Sequence, residues 1–266
     1  MKYENITGVP NFICDEYKSK ATKYCILIPI INEGKRILKE LRRAQKNGIN
    51  NLCDIIICDG GSDDGSTKAS RLKKLGVNTL LTKTGAGKQG AQLRMGIWFA
   101  LKRGYEGVIT IDGNNKDSIE DVPRFIEKLD KGYDFVQGSR FIKGGRALNT
   151  PVIRYLSVRL IHAPIISLTA GERFTDTTNA YRAYSRKYLT HPKVKPLRDI
   201  FVTYELLAYL STRASQLKFK TCEVPVTRAY PGKGKIPTKI HFWQGNSDLM
   251  KILIKNFKGD YNVKSL

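Results

Sequence analysis

Apolar residues fall along this chain in short unbroken runs, separated by stretches with helical spacing. CILIPI (25–30) is wholly apolar, as a buried parallel strand is. From Glu33 to Asn47 the apolar positions are Ile37, Leu38, Leu41 and Ala44, one face of a helix that Gly48 ends. CDIIICD (53–59) is a second buried strand, followed by a Gly/Ser/Asp turn and a helix over 66–75 closed by Gly76. VNTLL (77–81) is a third strand, and Gln89–Arg103 a helix with Leu93, Ile97 and Ala100 on one face. GVITID (107–112), a helix from Pro123 to Lys131, and DFVQGSR (134–140) continue the alternation. Beyond 140 the pattern weakens: 151–168 and 199–213 read as helices and KTCEVPVT (220–227) as a strand before a Gly/Pro/Lys loop. The alternation predicts an α/β domain with a doubly wound, mostly parallel sheet covered on both faces. Such sheets bind ligands beyond the carboxyl ends of their strands. Those ends carry Asn32-Glu33, Asp59, Asp112 and Ser139-Arg140.

Composition narrows the classes. With 41% hydrophobic residues in 266, the chain can bury a large core, which excludes a disordered chain. Its 46 Lys+Arg against 24 Asp+Glu leave a formal charge of +22, suited to nucleic acid, an anionic membrane or phosphorylated ligands. A nucleic-acid-binding module would need stacking aromatics among basic residues on an exposed sheet, which buried parallel strands do not offer, so no nucleic acid is expected as a partner. Five cysteines without a CxxC pair read as buried thiols of a reducing compartment, and the three histidines lack metal-ligand spacing. No signal-like apolar stretch opens the chain. The most apolar segment, 155–171, is interrupted by Arg159 and His162 and is shorter than the ~20 apolar residues of a spanning helix, so a soluble or peripheral protein is expected.

GAGKQG (85–90) fits GxGxxG but follows the third strand rather than the first, and Lys88 is not followed by Ser or Thr, so neither a dinucleotide fold nor a Walker loop is indicated. Lys88 stands where a helix begins and anions are favoured. CDGGSDDGS (58–66) is more specific: a buried strand ends directly in Asp59, which can accept hydrogen bonds from a nucleobase imide.

Here the chain resembles the family 2 glycosyltransferases, whose second strand ends V-D-D-G-S-x-D-G-T. Asp59, Gly61, Ser62, Asp64, Gly65 and Ser66 match, and Gly60 replaces the second Asp. ILIPIINEG (26–34) is similar to the family's first strand and its P-x-Y-N-E end, with Ile31 where an aromatic is common. YDFVQGSRF (133–141) resembles D-x-V-x-G-S-R-F, FTDTTNAYRAY (174–184) resembles D-x-T-x-G-F-R-x-Y with Ala180 for Gly, and EVPVTRAYPGKGKIPTKI (223–240) resembles the later E-V-P-V strand with its G-x-S-K loop. The resemblance covers roughly 23–240 and is nearest the polyprenyl- and dolichyl-phosphate mannosyl- or glucosyltransferases. It implies a GT-A domain over 1–240. Beyond it, over 241–266, Leu249, Met250, Leu253, Ile254 and Phe257 share a helical face with Lys251, Lys255 and Lys258 off it, a basic amphipathic C-terminal extension that fits an anionic membrane surface and fits equally a terminal helix packed on its own domain.

The implied reaction is inverting transfer of a hexose from a nucleotide-diphosphate sugar to a polyprenyl phosphate in cell-envelope assembly. The implied setting is the cytoplasmic side of an anionic membrane, with the enzyme peripheral. The resemblance places Pro29, Ile31, Asn32, Glu33, Asp59, Lys88 and Gly113 around the nucleotide, and Asp112, Lys88 and Arg140 in catalysis. It places Ser139, Arg140, Asp176 and Arg182 at the acceptor, with Lys235 and Lys239 on a closing loop; the acid-free basic stretch from Phe135 to Gly171 adds Arg154 as a second arginine for the acceptor phosphate or the donor diphosphate. ITIDGNNKDSIEDVP (109–123) departs from the metal motif D-A-D-L-Q-H-D-P-E-D-I-P: Asn114 replaces the second carboxylate and Lys116 the Gln. A divalent cation, Mg²⁺ or Mn²⁺, is expected on Asp112 and Asn114 in a weakened site; the other reading has Lys116 take over part of its charge. A sugar-hydroxyl acceptor would need a carboxylate base, for which Asp199 and Glu205 are the candidates. A nucleotide-sugar-binding protein without activity is the remaining alternative.

Overall fold

The apolar runs form the centre of one sheet. The structure, a computed structural model, describes residues 1–232 and 242–264, and in 242–246 the backbone alone. Its strands are β1 (Lys2–Tyr3), β2 (Phe12–Glu16), β3 (Tyr24–Ile30), β4 (Asp54–Asp59), β5 (Thr79–Lys83), β6 (Gly107–Thr110), β7 (Phe135–Ser139), β8 (Arg146–Leu148), β9 (Arg182–Ser185), β10 (Thr221–Pro225) and β11 (Thr227–Ala229). The helices are α1 (Lys35–Lys46), α2 (Ile49–Leu52), α3 (Ala69–Lys74), α4 (Gln89–Lys102), α5 (Val122–Asp130), α6 (Val152–Ser157), α7 (Ala163–Ala170), α8 (Arg186–Leu189), α9 (Glu205–Gln216) and α10 (Phe242–Phe257).

The main sheet runs β1-β2-β5-β4-β3-β6-β9-β7-β10, and β11 pairs with β8 in a small second sheet. Strands β5, β4, β3 and β6 are parallel neighbours, as are β7 and β10. Two insertions make the sheet mixed. β9 lies antiparallel between β6 and β7, and β2 lies antiparallel on the β5 edge. Neither strand follows from the sequence pattern. RAYS is short and follows a polar loop, and FICDE carries acids at its exposed end. Pairing with a neighbour distant in sequence decides both.

Period-two alternation divides the core between the two faces. Cys25 and Leu27 of β3, with Ile56 and Cys58 of β4, pack against Leu93 and Ile97 of α4 and Leu206 of α9. Ile26, Ile28, Ile55 and Ile57 turn to the other face, against Ile37 and Leu41 of α1, Leu72 of α3 and Phe125 of α5. Helix α4 lies so close to the sheet that a Cβ on Gly96 would stand 2.6 Å from Cys58 Sγ and 3.1 Å from Leu27 Cδ1.

A π-helical turn, Val158–His162, joins α6 to α7, making Val152–Ala170 one helix of 19 residues. The turn stands just ahead of Pro164, whose nitrogen has no hydrogen to donate to the preceding turn. By length and composition this helix could cross a membrane; its Val158, Ala163, Ile166 and Ala170 are buried within the domain. Helix α10 packs on α7 and α9, lays Ile252 and Leu253 into the same core and leaves Ile254 and Phe257 outside.

Because β7 is antiparallel to β9 and β9 to β6, the carboxyl ends of β3, β4, β6, β7 and β10 all reach one edge. Chain order reverses between β3 and β6, and ligands of open α/β sheets bind at such switch points.

Candidate functional site

Two loops form one side of this edge, and polar side chains lace them together. Asn32 sits in the left-handed region (φ 49°), which asparagine tolerates. Its backbone N–H donates to Ser62 Oγ at 2.9 Å, and its Oδ1 accepts from the Asp63 N–H at 3.0 Å. The Gly34 N–H donates to Asp64 Oδ2 at 2.7 Å. Burial works against the Asp64 carboxylate, but the Ser66 hydroxyl and backbone N–H donors outweigh it and hold its pKa below the usual carboxylate value. Asp59 is buried and accepts from the Gly61 and Ser62 N–H groups and from Ser62 Oγ. Gln92 of α4 donates to the carbonyls of both Ile30 (2.6 Å) and Cys58 (2.8 Å), clamping the ends of β3 and β4. A side chain at Gly60 would be tight, its Cβ meeting Gln92 Nε2 at 3.1 Å and the Ile30 carbonyl oxygen at 3.3 Å. Ile31 is exposed between the loops, Pro29 is buried in β3, and Glu33 pairs with Arg36 at 2.7 Å. Gly113 packs under this edge, where a Cβ would lie 2.4 Å from Ile30 Cγ2.

Asp112 follows β6 and is only partly exposed. Gln89 Nε2 donates to its Oδ1 at 3.1 Å, and Arg228 Nη2 lies 3.3 Å from its Oδ2. Arg228 Nη1 hydrogen-bonds Asp117 Oδ2, and Asp117 and Arg228 also form an isolated antiparallel bridge. Burial opposes ionisation of Asp112, but the Arg228 and Lys116 charges and two hydrogen bonds hold its pKa below the ordinary value. Burial dominates at Asp117 and raises its pKa; its Oδ1 has no hydrogen-bond partner among the described residues. Asn114 Oδ1 accepts the Lys116 N–H at 3.2 Å.

This donor set does not fit the expected divalent cation. One of the two anticipated ligands is an amide already bonded to its own loop, and the other is a carboxylate paired with a buried guanidinium beside a buried ammonium. A hard cation takes several oxygen donors at about 2.0–2.6 Å and is repelled by fixed positive charge at that range. Among the described residues no three His, Cys, Asp or Glu side chains are grouped to hold a metal.

Arg140 and Asp176 are bound to each other. Nε and Nη2 of Arg140 reach the two carboxylate oxygens at 2.6 and 2.9 Å, both side chains are almost wholly buried, and among the described residues Arg140 Nη1 has no hydrogen-bond partner. Glu223 of β10 accepts from the Thr175 N–H and hydroxyl and supports the same loop, and Ser139 Oγ meets Thr175 Oγ1 at 2.6 Å. Arg182 at the start of β9 donates to the carbonyls of Thr177, Asn179 and Leu207 and to Ser211 Oγ. These contacts tie the paired β9 to its surroundings: its arginine bonds to α9 and to the 177–179 loop from the centre of the sheet.

Beside the edge lies a mostly apolar chamber of about 560 Å³ under the Val152–Ala170 helix, closed by α9 and α10. Arg154, His162, Thr178, Asn179 and Arg182 supply its polar wall, and Tyr204, Leu207, Ile252 and Leu253 line it. Arg154 reaches Tyr230, with Nη1 3.4 Å from the hydroxyl. Tyr230 stands between the chamber and the Asp112 cluster: Lys116 Nζ and Arg228 Cζ lie 5.2 and 5.8 Å from its ring centre. Burial would raise the Tyr230 pKa, but Arg228, Arg154, Lys116 and Arg140 together hold it below the ordinary phenol value.

Lys88 is exposed at the N-terminus of α4, its backbone N–H bonded to the Val202 carbonyl at 3.0 Å. Asp199 is exposed and paired with Arg94, and Glu205 closes the α9 N-terminus through the Thr203 N–H and hydroxyl. Lys235 and Lys239 lie outside the described residues. Arg228, Gln89, Gln92 and Tyr230 were not anticipated. The one available signal was an arginine and a tyrosine directly after the E-V-P-V strand; the partners of Arg228 are 111 and 116 residues away and Arg154, the partner of Tyr230, is 76 away.

Three comparisons bear on this geometry. The model of the family described as "Glycosyl transferase family 2" matches residues 25–191. The chain is 26% identical over 208 residues to polyprenol monophosphomannose synthase of Mycolicibacterium smegmatis, covering 76% of each chain. It is 28% identical over 179 residues to undecaprenyl-phosphate mannosyltransferase of Micrococcus luteus, covering 65% of this chain and 71% of that one. Among solved structures it is similar in fold to glucosyl-3-phosphoglycerate synthase of Mycobacterium tuberculosis in complex with Mn²⁺, UDP-glucose and phosphoglyceric acid, with a TM-score of 0.63, 14% identity, and 89% and 80% of the two chains covered.

Proposed function

The chain belongs to glycosyl transferase family 2 and is a GT-A glycosyltransferase, and from that premise we propose that it transfers a sugar, with inversion, from a nucleoside-diphosphate donor to the phosphate of a membrane polyprenyl lipid. The observation that carries this reading is the junction of the apolar chamber with the group of cations around Tyr230. An isoprenoid phosphate is apolar along its length and anionic at one end, and the chamber with Arg154 at its rim has that polarity. The relatives named above act on lipid phosphates of this class.

In this reading the base lies against the laced loops at Ile31–Glu33 and Asp59. The diphosphate lies toward the α4 N-terminus, Lys88 and the Arg228–Lys116 pair, where helix-end N–H groups favour anions. An oxygen of the lipid phosphate attacks the anomeric carbon from the face opposite the leaving group. The bond from that carbon to the β-phosphate oxygen breaks, and the electron pair leaves with the nucleoside diphosphate. The acceptor is already an anion at neutral pH, so no general base is needed. The lipid phosphate loses one negative charge on becoming a diester, and the leaving diphosphate gains it. Cations held at the strand edge stabilise that transfer of charge without reorganising.

The exposed side of the long helix suits a bilayer. Val152, Leu160 and Leu168 are 72%, 69% and 71% exposed, Ile254 and Phe257 of α10 add to them, and Arg159, Lys251, Lys255 and Lys258 supply cations for anionic headgroups. This supports peripheral attachment at the cytoplasmic leaflet. Transfer of radiolabelled sugar into extracted polyprenyl phosphate, with Asp112→Ala as control, tests the assignment. Incorporation into oligosaccharide alone overturns it.

A further inference from the structure

The positive charge beside Asp112 is part of the polypeptide. Arg228 places one guanidinium nitrogen on Asp112 and the other on Asp117, while its backbone pairs with that of Asp117. Arg228 and Lys116 are both buried, and both face the ring of Tyr230. Two carboxylates with two fixed monovalent cations have the same charge balance as two carboxylates around one divalent ion. A guanidinium adds a planar fork of five N–H donors, of a geometry that matches phosphate oxygens. A metal entering here would have to displace Arg228 and expose an arginine now 4% accessible, against the repulsion of Lys116.

We propose that Arg228, held between Asp112 and Asp117 with Lys116 beside it, is the built-in cation that receives the donor's diphosphate, and that this chain binds its donor without a divalent metal. The proposal rests on the reading of the strand edge as a nucleoside-diphosphate site. Arg228 is then a binding and charge-neutralising residue, and Asp112 and Asp117 are its positioning partners rather than metal ligands. The second cation explains the departure at position 116: an ammonium stands there so that the pair sums to the charge of a divalent ion.

The test is calorimetric titration of the full chain with uridine diphosphate and guanosine diphosphate, after EDTA treatment and again with Mn²⁺, together with electron paramagnetic resonance of Mn²⁺ added to the chain and diphosphate. The expected result is binding in EDTA with a Kd that Mn²⁺ leaves within about threefold, and a free-ion Mn²⁺ signal no lower than with the diphosphate alone. Arg228→Gln is expected to weaken binding at least about 30-fold, as loss of a buried charge contact does. It is also expected to make binding respond to Mn²⁺, because Asp112 and Asp117 are left facing each other. Arg228→Lys keeps a charge without the fork and falls between. If Arg228→Gln does not fold, the Mn²⁺ titration of the unsubstituted chain decides. Binding that requires Mn²⁺, or an Arg228→Gln Kd equal to the original, overturns the role of Arg228 and leaves the donor site standing. Absence of binding by either diphosphate in every condition overturns the donor site itself and the proposal with it.

Discussion

Replacing Asp176 with Asn keeps the shape of the residue and removes its charge, leaving the Arg140 guanidinium without a counter-ion. The pair is 1% and 0% exposed, and the two contacts are 2.6 and 2.9 Å. With charge centres about 4 Å apart at an effective dielectric of about 20, the Coulomb attraction is about 4 kcal/mol. Breaking one side of a buried pair costs about 3–5 kcal/mol in measured cases, because the remaining ion stays desolvated. For a chain of this size a loss of that order lowers Tm by roughly 6–20 °C. Urea unfolding followed by circular dichroism, with thermal melts alongside, measures both. The midpoint should fall with the m-value unchanged. The double variant Arg140→Met/Asp176→Leu should recover much of the loss, since an apolar pair needs no counter-ion. A stability change in Asp176→Asn below about 1 kcal/mol refutes the reasoning. It would mean that the Arg140 charge is met elsewhere, and it would return this arginine to the acceptor role read from its motif.

The other expectations are narrower. Gly96→Ala improves helix propensity yet should destabilise by about 1–3 kcal/mol, because the new methyl meets Cys58 Sγ at 2.6 Å; a melt at or above the original Tm contradicts the close packing of α4. Leu160→Ser with Leu168→Ser removes two exposed leucines that a bilayer would bury, so partition onto vesicles with anionic lipid should fall by at least about tenfold, and unchanged flotation argues against this face. Burial, reinforced by Arg228, pushes the Lys116 ammonium down to about 8 from 10.5. The unfolded chain therefore holds this proton more tightly, so the group's penalty on stability is relieved as pH rises from about 8 towards 10.5, while diphosphate affinity falls over the same rise as the charge is lost. A Kd that stays flat between about pH 7 and 9 contradicts the placement of Lys116 at the diphosphate.

Much of the architecture is legible because it depends on short-range pattern. A wholly apolar run such as CILIPI has no stable place except a strand covered on both faces, and Gly48 and Gly76 mark where the adjoining helices stop. From those runs follow the layered fold and the edge carrying Asn32, Asp59, Asp112 and Ser139. The same logic stops at β9 and β2, whose residues carry no distinctive alternation and become strands by pairing with neighbours far along the chain.

Charged side chains mark the limit most clearly. Read in line, Arg140, Asp176 and Arg182 are motif positions facing a ligand, and Arg228 is an unremarked residue after a strand. In three dimensions Arg140 and Asp176 neutralise each other, Arg182 ties β9 to α9, and Arg228 lies against Asp112. Residue type and local spacing determine where the sheet, its helices and its functional edge lie, since those depend on burying apolar faces at fixed periods. Which ion meets which depends on partners 36 to 116 positions away, brought within about 3 Å only when the chain after β6 and β7 meets the 176 loop and β11 in the fold.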